Sequence, residues 1–176
     1  MDPPLTGGQP HLIRRKAVSI KPRRAATVPG VHYENQTGFT AAEAERAFGK
    51  AVRAGRRASL TRRMLRRCIE CAKLGVFDAD GTGRSAGHGV RDIPIDAIAG
   101  TLEPQRAAQF DSEFRPTARV RRRWTSIWLA EHRGVPLPPI SVAPVGGAYA
   151  IRDGHHRVSV ARARGAVTID AAVDGV

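Results

Sequence analysis

The residues best suited to chemistry lie together near the C-terminal end, in the run Asp153-Gly154-His155-His156-Arg157. They fall between an apolar stretch ending at Arg152 and a helical pattern beginning at about His156. A glycine at such a junction lets backbone approach a ligand closely, and the N–H groups of a helix start carry the positive end of its dipole. That combination attracts phosphate, and Arg157 adds a bidentate donor for the same anion, so the expected occupant is a nucleotide phosphate. Asp153 would repel an anion unless it binds Mg2+, takes a proton from a substrate, or caps the helix, and all three roles are open. His155 and His156 are neighbours and do not share a helix face; one is placed to touch ligand while the other packs, and no metal site is expected from them.

The elements that must hold this turn can be read around it. Leu137-Pro-Pro-Ile140 leads into Ser141 to Val145, and Gly146-Gly147 then turns the chain back into Tyr149 to Arg152. This is the pattern of a β-hairpin with a two-residue turn at positive φ. A helix through Val158 and Ala161 should break near Gly165, after which Val167 to Val173 alternates as a last strand. Val120, Trp124, Ile127 and Trp128 make one apolar face of an earlier helix, with Arg119 and Arg121 to Arg123 on the rest, so the tryptophans are expected in the core. Val90, Ile93, Ile95 and Ile98 read as a short strand and turn. From Val90 the order is strand, loop, helix, strand, strand, helix, strand, an α+β arrangement of a small mixed sheet and packed helices.

The N-terminal half differs in composition. Residues 1–75 hold 16 basic and 5 acidic residues, against 13 and 11 in residues 76–176, so most of the net charge of +13 lies there. Residues 1–38 carry five prolines and the clusters Arg14-Arg15-Lys16 and Lys21-Pro22-Arg23-Arg24, the composition of a disordered basic arm. Thr40-Ala-Ala-Glu43 has capping-box spacing and predicts a helix start. Phe48 and Val52 form a stripe up to Gly55, and Leu60, Met64, Leu65, Cys68, Ile69 and Ala72 form a second one up to Gly75. Residues 39–76 are therefore expected as a basic helical segment, two short helices or one broken helix. Arg56, Arg57, Arg62, Arg63, Arg66 and Arg67 decorate its other faces, which suits a nucleic-acid backbone and equally a solvated surface. Cys68 and Cys71 form a lone C-x-x-C inside the apolar pattern and are expected as buried core thiols. Residues 78–89 read as a mobile glycine-rich connection, with the globular domain running over 90–176. No apolar run is long enough to cross a membrane and the start carries no apolar signal region, so a cytoplasmic location is expected, with nucleoid association as an option.

Residues Tyr149 to Gly165 together with Thr168 to Val173 resemble the hallmark segment of the ParB family, in the ParB/sulfiredoxin superfamily. The family's twelve-residue box, GERRWRAAKLAG, has the length of Gly154 to Gly165, with Gly154, Arg157, Ala161 and Gly165 matching. Ile93-Pro-Ile-Asp-Ala-Ile98 is similar to the family's opening strand and Leu137-Pro-Pro-Ile-Ser-Val142 to its "hGvlqPivV" stretch. Glu103-Pro-Gln-Arg106 is similar to its "NPxQPR" segment near the nucleotide. Coverage is about residues 90–173. The resemblance implies a ParB/sulfiredoxin-like domain that binds a nucleoside triphosphate, CTP in ParB itself, through Gly154, His155, His156, Arg157 and Arg106.

Departures limit what carries over. No room follows the box for a helix-turn-helix or dimerisation domain, so a complete partition protein is not expected. Sulfiredoxin has a cysteine in its GGCHR box where this chain has His155, which argues against reduction of sulfinic acids by a cysteine route. Free serine kinases of the superfamily carry DGHTR, similar to Asp153–Arg157 here. On that resemblance Asp153 and Glu103 would be catalytic, Glu103 as base for an attacking hydroxyl. The expectation is thus a nucleotide-binding, DNA-associated protein using CTP, ATP or ADP with Mg2+, its partners a nucleotide, DNA and a second copy in a homodimer. The alternatives are a nucleotide triphosphatase or small-molecule kinase, and a non-catalytic DNA-binding scaffold.

Overall fold

Alanine at seven positions between Ala41 and Ala58 gives the first described segment strong helix propensity, and a single helix, α1 (Gln36–Met64), results. The structure, a computed structural model, describes residues 36–68, 70–78 and 89–173. The expected N-terminal arm, but for residues 36–38, and most of the expected connection lie outside the described residues. α1 corrects three expectations. It starts at Gln36, so Thr40 is in its second turn rather than at its cap. It also runs unbroken through Gly55, because one interior glycine costs a helix only about 1 kcal/mol, which flanking alanines and packing offset. The apolar stripe beyond Gly55 is not a core face: Leu60, Met64 and Leu65 are exposed, Met64 by 83%. The helix ends where Arg66 takes a positive φ of 49°.

The rest of the chain lays down β1 (Gly75–Val76), β2 (Gly89–Pro94), β3 (Ile98–Thr101), α2 (Pro104–Ala107), α3 (Arg121–His132), β4 (Ile140–Val145), β5 (Ala148–Asp153), α4 (His155–Arg164) and β6 (Thr168–Val173). Short 3-10 turns at Ile95–Ala97 and Ala118–Val120 join β2 to β3 and lead into α3. The class is α+β, with one six-stranded mixed sheet in the order β1-β3-β5-β4-β6-β2. β4 and β5 form the expected hairpin, Val145 opposite Ala148 across Gly146-Gly147, both at positive φ. β3 and β6 lie parallel to β5 and β4, and β2 runs antiparallel to β6.

Helices α1, α3 and α4 pack side by side with α3 in the middle. Trp124 on α3 is fully buried, tilted against Phe48 of α1 at 5.5 Å, and its indole N–H donates to Ser159 Oγ of α4 at 2.9 Å. Both tryptophans are core residues, as their spacing predicts. Ala44 and Phe48 belong to the same core as Ile93, Val142 and Ile151. α1 is thus built into the compact unit Glu34–Val176 instead of forming a segment ahead of a domain that begins near Val90. No helix among the described residues is long and apolar enough to cross a membrane.

Candidate functional site

The turn after β5 is shaped by Gly154, whose φ of 112° places it in left-handed space and whose missing Cβ would overlap the Ile140 side chain. This lets α4 start directly behind the strand, with His155 and His156 as its first two residues. The N–H of Val158 is the first to find a helical carbonyl, that of Gly154 at 3.0 Å. The N–H groups before it are the donors a helix start leaves without an intrahelical partner. No side chain caps them, so Asp153 is not the helix cap.

Arg157 is committed to the protein. One guanidinium nitrogen donates to the carbonyls of Pro138 and Pro139, the second at 2.8 Å, and the other donates to Asp153 Oδ2 at 2.8 Å. Its side chain is 12% exposed and that of Asp153 is 77% exposed. Arg157 therefore ties the turn to the start of β4, and Asp153 points to solvent with its charge partly balanced.

The two histidines are buried against Phe110, which stacks on His155 at 6.3 Å and meets His156 edge-on at 5.3 Å. His155 Nε2 lies 2.6 Å from Oγ1 of Thr101, a fully buried hydroxyl at the end of β3 that also accepts the Glu103 N–H at 2.8 Å. Burial pushes the pKa of His155 down to about 4, helped by the positive charge of Arg106. Burial likewise takes His156 to about 4, with Arg123 and Arg106 adding to it. Both rings are neutral at pH 7.

His156 reaches one wall of a cleft of about 760 Å³ between α2 and α3. Four arginines line it: Arg106 from α2, Arg119 from the turn before α3, and Arg122 and Arg123 from the first turn of α3. Gln109 lines it too, and its buried Oε1 has no hydrogen-bond partner among the described residues. Such a cleft concentrates positive charge beside the first turn of α4 and suits a multiply charged anion.

Of the residues singled out from sequence, Arg106 and His156 come together in this cleft, His155 stands behind them, and Gly154 shapes the turn. Glu103 immediately precedes α2, exposed, with its backbone joined to His155 through Thr101. Asp153 and Arg157 pair with each other at 2.8 Å. Arg119, Arg122 and Arg123 were legible only as the polar side of a helix, and Thr101 and Phe110 gave no signal, because each meets the turn through the fold alone. Arg56, Arg57, Arg62 and Arg63 lie on α1 and Arg66 and Arg67 just beyond it; all but the half-buried Arg62 are exposed. No three His, Cys, Asp or Glu side chains among the described residues could together hold a metal ion. No family model matches the chain, and neither a curated protein nor a solved structure matches it.

Proposed function

We propose that the chain binds a nucleotide, CTP, ATP or ADP, with its phosphates in the arginine-lined cleft beside the first turn of α4. The observation that carries this is the convergence of Arg106, Arg119, Arg122 and Arg123, from α2, the turn before α3 and α3 itself, on the cleft that His156 lines. Their guanidinium groups supply fork-shaped donors, and a polyphosphate is the common metabolite with enough charge to engage several at once. Mg2+ would come in on the phosphates, with the exposed Asp153 as the carboxylate at the turn. The likeness of Gly154–Gly165 to the ParB box points to the same ligand class.

DNA association belongs to this proposal through charge. On α1, Arg46, Lys50, Arg53 and Arg57 recur at helical spacing and are all exposed, and Arg56 and Arg63 flank them. A phosphate backbone would bind such a face with an affinity that falls steeply with salt. A phosphotransferase reading rests on one observation: the backbone N–H of Glu103 donates to the Thr101 hydroxyl that meets His155, which ties this exposed acidic residue, just ahead of α2, to the turn that begins α4.

Isothermal titration with CTP, ATP, ADP and GTP in Mg2+ tests the proposal. One nucleotide should bind, and Arg123→Glu, on the exposed start of α3, should weaken it at least about tenfold, the worth of one charge-assisted contact, without lowering the unfolding temperature. Binding untouched by Arg106→Ala and Arg123→Glu would rule the cleft out, and no binding of any nucleotide would end the proposal. Release of nucleoside diphosphate only when a hydroxyl acceptor is added, and its loss in Glu103→Gln, would favour transfer over binding alone.

A further inference from the structure

Just past the end of α1 the chain's two cysteines are joined: Cys68 and Cys71 form a disulfide that closes a four-residue ring. Both are exposed, which corrects the expectation of buried core thiols. The helix stops at Met64, before its apolar stripe could carry them inward.

The ring is held from both sides. Arg67 N–H donates to Arg62 O at 2.9 Å, tying its start to the last turns of α1. Beyond it, Ala72 O accepts the Ser112 N–H at 2.9 Å, and the backbone of Lys73 forms an isolated antiparallel β-bridge with that of Asp111. Inside it, the Cys71 N–H donates to Cys68 Sγ at 3.3 Å. Two thiols fixed by their flanks meet at high effective concentration, so forming and opening their bond needs little rearrangement. The amide at Cys68 Sγ, together with Arg66 and Arg67 directly before it in the chain, favours a thiolate there over one at Cys71. A ring this short removes little freedom from the unfolded chain, so stapling is a minor part of what the bond does.

We propose that Cys68 and Cys71 form a redox-active dithiol/disulfide centre that exchanges with small thiols of the glutathione class, Cys68 being the attacking sulfur. In the oxidising direction the Cys68 thiolate attacks a small-molecule disulfide, forming a mixed disulfide and releasing one thiolate. Cys71 gives up its proton and displaces the second thiolate from Cys68, closing the ring. Two electrons pass from the pair to the small disulfide, which leaves as two thiols carrying the two protons. An excess of the thiol runs the same steps backwards.

The full chain, equilibrated over a series of glutathione to glutathione disulfide ratios, quenched in acid, alkylated and weighed intact, reports the state of the pair. The expected result is one transition in which both thiols appear together within the series. In the reduced protein iodoacetamide should modify Cys68 about tenfold or more faster than Cys71 near neutral pH, as its greater thiolate fraction requires. Cys71→Ser should hold glutathione on Cys68, and Cys68→Ser should hold far less on Cys71. Circular dichroism of both variants should match the parent, since both positions are exposed. A pair that stays closed in pure glutathione, stays open in pure glutathione disulfide, or shows equal alkylation rates overturns the proposal.

Discussion

His155 and His156 sit where a charged imidazole is opposed by burial and by Arg106, and for His156 by Arg123 as well. Their folded pKa values of about 4 lie below the ordinary 6.5, so between these values the unfolded chain binds more protons than the folded one. The stability they permit is full above pH 6.5, falls as pH drops towards 4, and levels off below. The slope approaches that of two protons, about 2.7 kcal/mol per pH unit. Glu131, raised mainly by burial, works in the opposite sense in the carboxylate range. Urea unfolding across this interval should show the loss, and His156→Gln should reduce the slope by about one proton. An anion beside Arg106 and Arg123 would neutralise the charges that oppose protonation, raising the histidine pKa values in the complex. Nucleotide binding should then take up protons near pH 5 and tighten as pH falls, which titration in buffers of different ionisation enthalpy measures. Arg157 makes a different prediction, since its guanidinium serves the carbonyls of Pro138 and Pro139 and the carboxylate of Asp153. Arg157→Ala should cost about 2–4 kcal/mol in denaturant unfolding, and Arg157→Lys, which lacks the fork, should recover less than half of it.

At the scale of elements, the junction of β5 with α4 depends on Gly154. A methyl there would overlap the buried Ile140 and sit at a φ of 112°, so Gly154→Ala should destabilise by about 2–4 kcal/mol. It should also weaken nucleotide binding by displacing the first turn of α4, and unchanged affinity would detach that turn from the site. This junction and its flanks were readable in the sequence because their signals are local: Gly146-Gly147 between alternating runs, the apolar face of Trp124 and Trp128, and Gly165 at the end of α4. β1 and β3 were not readable as separate strands, being two and four residues long and defined by pairing with distant partners. The continuity of α1 was misread because a glycine is a weak breaker inside an alanine-rich helix. Half of the candidate site was legible for the same reason that the junction was. The other half, Arg119, Arg122, Arg123, Thr101 and Phe110, is supplied by chain 32–54 residues away from His155.

Across the whole molecule, the sheet order separates near partners from remote ones. β4 and β5 are joined by two residues and occupy the centre, whereas β2 meets β6 with Gly89 opposite Val173. β3 reaches β5 with Ile98 opposite Tyr149. Closing such long loops costs entropy before any contact rewards it, while the central hairpin closes almost freely. The guanidinium of Arg157 adds to this, because it fastens α4 back onto the residues just ahead of β4, 18 and 19 positions earlier. Residues 138–164 can therefore hold together before either sheet edge is laid down. During refolding, pulse-labelled amides of Val142, Ile151 and Val160 should resist deuterium first, and those of β2 and β6 later; equal or reversed order would refute this sequence of events. The contact that fastens the candidate site's turn in the finished protein is thus also what gives the growing structure its first piece, so Arg157→Ala should slow folding more than it speeds unfolding.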